Sequence, residues 1–138
     1  NDPTKVIIQH TTFADNSGVA LRFTDAPSAT VSNSIFWGQA DDVSATNSAY
    51  SLLNSVLQNE STNSRPGCIT NNPLFVSGYF LNGTSPCINA GGSSSTNAGV
   101  YYYKTTRVDY RWDEGIADMG YHYPSTWEPP RGTFLTVR

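Results

Sequence analysis

Short runs of alternating apolar and polar residues recur along the first half of the chain. Three of them, residues 8–13, 31–36 and 52–57, align with one another at offsets of 23 and 21 residues. Alternation with a period of two is typical of a β-strand. A repeat of about 22 residues is typical of a solenoid, in which each coil stacks on the previous one. The pattern predicts about three such coils, ending near Gln58.

One polar position recurs in every coil, at His10, Asn33 and Asn54. Strands stacked about 4.8 Å apart place equivalent side chains above one another. We therefore expect these residues to form a polar ladder, in which side chains hydrogen-bond along the stack. Its place in this ladder favours a structural role for His10 over the role of a general base.

The second half of the chain lacks this repeat. Residues 59–67 are rich in Asn, Ser, Thr, Pro and Gly and predict a loop that leaves the coils. Residues 74–81 are expected to form a hairpin that turns at Ser77 and Gly78. Residues 91–99 predict a mobile loop, and no segment predicts a helix longer than two turns. The predicted organisation is coils over 1–58, a cap over 59–124, and a Pro-containing linker with a strand-like tail over 125–138.

Composition narrows the class of protein. The 138 residues include 38% hydrophobic and 12% aromatic residues, enough to bury the core of a single domain. Only 14% are charged, the formal net charge is −3, and the eight lysines and arginines do not cluster. The chain therefore offers no continuous basic surface to nucleic acid. No apolar run approaches the roughly 20 residues that a membrane helix needs.

Four motifs follow one another in a fixed order. They are Val-Ser-Asn-Ser-Ile-Phe-Trp-Gly at 31–38, Asn-Pro-Leu-Phe-Val at 72–76, Ser-Pro-Cys-Ile-Asn-Ala-Gly at 85–91, and Asp-Met-Gly-Tyr-His-Tyr-Pro at 118–124. In this order they resemble the closing segment of bacterial pectate-lyase-like, choice-of-anchor type β-helix proteins. The resemblance covers roughly residues 5–124. It implies an all-β fold, in which about three coils of right-handed parallel β-helix precede an irregular C-terminal β cap.

One segment departs from the family pattern, because residues 110–112 read Tyr-Arg-Trp where Gly and Pro are expected. The family also has more coils on the amino-terminal side. No charged and apolar signal and no initiating Met precede the first coil. We therefore expect a processed product or part of a longer protein.

The function that the resemblance implies is that of a non-catalytic, extracellular or cell-surface module with a structural or adhesive role. Its partners would be upstream coils or neighbouring subunits, and polysaccharide. The alternative is a fragment of a polysaccharide lyase or glycoside hydrolase, since this fold hosts many activities. No nucleophile motif or facing pair of carboxylates can be assigned, so the sequence predicts no catalytic residue.

The two cysteines, Cys68 and Cys87, have no neighbouring Cys or His that would complete a zinc site. In a secreted chain the expected arrangement is a disulfide that ties the cap, worth roughly 3 kcal/mol in the chain-entropy model. The alternative is a pair of reduced, buried thiols, as in a cytosolic protein.

Aromatic residues are the main candidates for binding. They are too numerous for all of them to be internal, and exposed rings can stack on sugars or on another protein. The alternative is that the rings cover the apolar interior of the last coil. The predicted contact residues are Trp37, Tyr102, Trp112 and Trp127.

A group of carboxylates leaves a choice between metal binding and turn capping. Asp109, Asp113 and Asp118 are close in sequence and could hold Ca²⁺ through oxygen ligands, although they lack the spacing of a helix-loop-helix calcium site. The alternative is that they cap turns. No other cofactor is predicted.

The first coil should present an unpaired strand edge, which favours association unless something covers it. One expectation is that further coils on the amino-terminal side cover this edge. The other is end-to-end association, in which Phe134, Leu135 and Val137 of the tail add as a strand to a neighbouring subunit.

Overall fold

A computed structural model describes residues 5–130 of the chain. The predicted all-β class is confirmed, since this part has many short strands and a single helix of four residues. The strands are β1 (Lys5–Gln9), β2 (Thr12–Ala14), β3 (Val19–Thr24), β4 (Ser28–Ser32), β5 (Ile35–Trp37), β6 (Asp41–Thr46), β7 (Tyr50–Leu53), β8 (Phe75–Val76), β9 (Phe80–Leu81), β10 (Lys104–Thr105) and β11 (Tyr123–Pro124), and the helix is α1 (Ser95–Ala98).

The first seven strands pair in parallel at the offset of the sequence repeat. Strands β1, β4 and β7 form one sheet, β2 and β5 a second, and β3 and β6 a third. Ile8 pairs with Val31, and Val31 pairs with Leu52. Bridges from Ile35 to Val56 continue the second sheet into the third repeat. Residues that align in sequence are thus neighbours in space.

Apolar side chains from all three parallel sheets meet in one cluster, which we call the inner core. Phe36 lies at its centre with no exposed surface, and its ring stacks on that of Phe13 with centroids 4.7 Å apart. Burial of such rings is the main favourable term in folding. The buried members are Phe23, Ala29, Val31, Phe36, Val43, Leu52 and Leu57.

Each repeat turns between its first and second strand at the recurring polar position. His10, Asn33 and Asn54 all have left-handed backbone conformations, with φ of 48°, 51° and 46°. Asn tolerates this conformation better than most residues, because its short polar side chain bonds locally. The first step of the predicted ladder is present, since Asn33 Nδ2 lies 3.3 Å from His10 Nε2.

The cap packs along the side of the coils through a second cluster, the outer core. Ile35 and Val56 point away from the inner core and contact Leu81, Cys87 and Met119 of the cap. The cap therefore covers the outer face of the second sheet.

Hydrogen bonds fasten the cap to the successive coils. Gly120 N donates to Asn33 O at 2.8 Å, and Tyr121 N donates to Thr12 Oγ1 at 2.9 Å. Gly92 lies so close to the third coil that a Cβ atom there would collide with Asn54 Nδ2. A cap held in this way depends on contacts between residues far apart in the chain.

The hairpin predicted in the cap is present, with Val76 paired to Phe80 in antiparallel β8 and β9. The segment predicted as a mobile loop contains α1, whose amino end is capped by Ser94 and whose carboxyl end is closed by Gly99 at φ 73°. Glycine suits this left-handed closing position because it has no Cβ.

The structure contains no disulfide, contrary to the prediction, and Cys68 and Cys87 are both free thiols. Cys68 packs against the inner core, whereas Cys87 is fully buried in the outer core. The two thiols thus belong to different clusters. Burial raises the pKa of both thiols, that of Cys87 to about 11.

Thiol labelling should distinguish the two cysteines. Because the thiolate is the reactive form, we expect Cys68 to be alkylated slowly in the native protein and Cys87 only after unfolding. Mass spectrometry of protein prepared without reductant measures both labels, and the unlabelled mass should equal that of the reduced chain. A mass lower by two hydrogens, or fast labelling of Cys87, would contradict the assignment.

The edge predicted for the first coil is open within residues 5–130. Strand β1 has β4 as its one neighbour there, and 60% of Ile7 is exposed. The predicted interface strand with Phe134, Leu135 and Val137 lies outside the described residues. In the described part of the chain, no helix has the length and apolar character needed to cross a membrane.

Candidate functional site

A polar cleft of about 210 Å³ opens on the cap. One wall comes from the turn at residues 88–89, and the rest comes from residues 107–118, which include the segment that departs from the family pattern. The lining residues are Ile88, Asn89, Arg107, Arg111, Trp112, Asp113, Glu114 and Asp118.

Aromatic rings gather around Trp112 at the side of this cleft. The centroid of the Trp112 ring lies 4.9 to 5.9 Å from the centroids of four other rings. We call this group the Trp112 cluster; it comprises Trp112 with Tyr101, Tyr102, Tyr103 and Trp127. Tyr102 is 66% exposed and Tyr103 is 53% exposed, so the cluster presents rings to solvent.

The Trp112 cluster brings together three of the four predicted contact residues, namely Tyr102, Trp112 and Trp127. The fourth, Trp37, lies on β5 and packs against the outer core, apart from the cluster. A single tryptophan in a strand gives no sign of which face it occupies, which explains the difference.

Two arginines place positive charge beside the cluster. The Arg111 guanidinium lies 5.7 Å from the centroid of the Trp127 ring, a cation–π arrangement. Arg107 donates two hydrogen bonds to Asp109, at 3.1 and 2.6 Å. Burial works against the charged form of Asp109, but its bonds from Arg107 and from the Arg111 amide outweigh burial and hold its pKa below the usual range.

A buried hydrogen-bond network underlies the cleft. Asp118 Oδ1 accepts from Asn89 N at 2.7 Å, and Asp118 Oδ2 accepts from Thr106 Oγ1 at 2.5 Å. Burial and the neighbouring Asp113 charge raise the pKa of Asp118, against these donors. Asp113 Oδ2 accepts from Asp118 N at 2.8 Å. The two carboxylates therefore order the turn that forms the floor of the cleft.

His122 completes this network. Its Nε2 lies 2.7 Å from Asp113 Oδ2, and its Nδ1 lies 3.1 Å from Gly120 O. Both neighbours accept hydrogen bonds, so the geometry fits a proton on each ring nitrogen. His122 and Asp113 then form an ion pair that is almost completely buried.

The structure does not bring the three carboxylates of the predicted calcium site together. Asp109 faces Arg107, while Asp113 and Asp118 bind donors of the protein. Within residues 5–130 no group of three His, Cys, Asp or Glu side chains could hold a metal ion. These carboxylates fit the alternative role of turn caps better, because they accept hydrogen bonds from backbone amides. Asp109 Oδ1, for example, accepts from Arg111 N.

The sequence analysis did not identify Arg111 and Asn89 as residues of the cleft, and it gave His122 no role. Arg111 directly precedes Trp112, and an arginine next to a candidate binding tryptophan was an available signal. Asn89 offered none, because it reaches the cleft through contacts between distant segments.

Comparison with known proteins gives no matching family model, no matching curated protein and no matching solved structure. The resemblance to bacterial β-helix proteins therefore stays a prediction, and the arguments about function rest on the geometry.

Proposed function

We propose that the chain forms the end of a right-handed parallel β-helix and serves a secreted or cell-surface protein as a non-catalytic, adhesive module. Three parallel sheets whose registers follow a repeat of 21 to 23 residues support this architecture. The open edge at β1 provides a contact for upstream coils or neighbouring subunits.

The observation that carries the adhesive role is the exposed part of the Trp112 cluster beside a polar cleft. Sugar rings have apolar faces that stack on aromatic side chains and hydroxyl groups that bond to polar ones. Tyr102 supplies an exposed ring, and Arg111, Asn89 and Glu114 supply polar groups within the neighbouring cleft. A polysaccharide is the ligand that uses both features.

Affinity electrophoresis through gels that contain neutral or acidic polysaccharides tests this role. We expect at least one polysaccharide to retard the protein. Tyr102→Ala should weaken binding about 2- to 13-fold, because an aromatic contact is worth about 0.5–1.5 kcal/mol beyond its area. Tyr121→Ala is the matched control, since Tyr121 is also exposed but contacts Tyr123 outside the cluster. Equal losses in both variants, or no retardation by any polysaccharide, would refute the adhesive role at this cluster.

The second candidate is a lyase or hydrolase fragment, favoured by the arginines and carboxylates that line the same cleft. β-Elimination needs a base, commonly Lys or Arg, near carboxylates that hold Ca²⁺ against an acidic sugar. Unsaturated uronide absorbance in the gel eluates would favour a lyase. New reducing ends without that absorbance would favour a hydrolase.

A further inference from the structure

His10 and His122 meet where the first coil touches the cap. Their ring centroids are 5.1 Å apart, with the rings nearly perpendicular. His10 lies at the corner between β1 and β2, and His122 directly follows the segment that bonds to Asn33 and Thr12. A histidine changes its charge near neutral pH, so this contact can respond to acidification.

The hydrogen bonds around Asn33 fix the protonation state of His10. Gly92 N donates to Asn33 Oδ1 at 2.8 Å, which sets the orientation of the amide. The Nδ2 donor of Asn33 must then face His10 Nε2, at 3.3 Å. Nε2 accordingly accepts, and the proton of the neutral ring sits on Nδ1.

The charged groups that face His10 come from the cap. Burial and the neighbouring His122 lower the pKa of His10 from its ordinary value of 6.5, and the Asp118 backbone and the Asp113 carboxylate, which raise it, are outweighed. The second coil contributes the uncharged Asn33 to this environment. His122 is already bonded through both ring nitrogens, so it cannot turn to accept a hydrogen bond from His10.

We propose that His10 is a proton-sensitive latch, which in its neutral form fastens the cap to the first coil and on protonation releases it. A proton from solvent would bind Nε2 and convert the acceptor for Asn33 into a second donor. The new imidazolium would also lie beside that of His122. The hydrogen bond that Asn33 of the second coil donates to His10 is lost, and a repulsion is added between His10 and His122. The repulsion acts across the boundary between the first coil and the cap. This inference does not depend on polysaccharide binding.

His10→Asn tests the latch, because asparagine already occupies the aligned left-handed positions 33 and 54. Hydrogen exchange of the Gly120 and Tyr121 amides, corrected for intrinsic rates, is followed from pH 7.5 down to pH 5. In the wild type we expect their protection to fall as the pH decreases, because a histidine whose pKa is lower in the closed state opposes closure once it is protonated. The His10→Asn variant should keep a constant protection over the same range, and amides of β4 should stay unchanged in both proteins.

Loss of protection at the same pH in the wild type and in His10→Asn would overturn the proposal. NMR titration of the His10 ring in the wild type provides a measurement that does not need the variant to fold. Protonation of His10 below its ordinary pKa, together with loss of Gly120 protection, supports the latch. Protonation at or above that pKa, or with the cap amides still protected, overturns it.

Discussion

Truncation of Phe36 to alanine is expected to lower the free energy of unfolding by about 4 kcal/mol. Phe36 is completely buried, and its ring touches the inner core that all three parallel sheets share. Hydrogen bonds between coils hold those sheets in register, so they cannot collapse into the space left by the ring. The protein should lose both the transfer energy of the side chain and the contacts around the cavity. Urea unfolding followed by tryptophan fluorescence measures the loss.

Phe13→Ala is the matched control, because Phe13 stacks on the same ring but is only half-buried in the first coil. We expect a clearly smaller loss of stability there, since water already reaches this position and the open edge can relax. If Phe13→Ala costs as much as Phe36→Ala, the inner core is not centred where the structure puts it.

The parallel pairing of the first seven strands could be predicted from the sequence because its information is local and repeated. The apolar residues at Ile8, Val31 and Leu52 recur at one position, and stacking at that offset buries them alike. The Asn positions recur at the corner for a related reason, since a left-handed backbone favours this residue. The repeat period thus predicted both which residues form strands and which residues pair between strands.

The cap could not be predicted in the same way. Phe36 serves the inner core and its neighbour Ile35 the outer core, so both faces of β5 are buried. Alternation of apolar and polar residues identifies a strand with one buried and one solvent-exposed face. It does not identify the packing of a strand whose two faces are both buried. The disulfide prediction was wrong for a similar reason. The spacing of Cys68 and Cys87 in the sequence does not show that they pack in different clusters.

The sequence predicted which types of residue form the candidate site, but it did not predict how those residues are arranged. Exposed aromatic residues were expected, and Tyr102, Trp112 and Trp127 do come together. The ion pair of Asp113 with His122 was not expected, because the two residues lie nine positions apart in irregular chain and a backbone carbonyl orients the ring. Such a contact depends on tertiary structure that no local pattern encodes.

Removal of the Asp113 charge is expected to be the other large effect. In Asp113→Asn the buried imidazolium of His122 loses its counter-charge, and breaking a buried pair in this way costs about 3–5 kcal/mol. The variant also weakens the acceptor for Asp118 N, so the floor of the cleft should loosen. Urea unfolding at pH 7 measures the loss, and the matched control is Asp109→Asn. That surface pair with Arg107 should contribute at most about 1 kcal/mol, because 42% of the Asp109 side chain is exposed.

A double-mutant cycle separates the ion pair from its surroundings. His122→Gln removes the charge that Asp113 faces, so in the double variant with Asp113→Asn neither partner of the buried pair is charged. The double variant should be less destabilised than the sum of the two single variants, with a coupling of about 1–3 kcal/mol. Additive effects would mean that the two side chains do not interact as an ion pair, and the protonated state inferred for His122 would then be wrong.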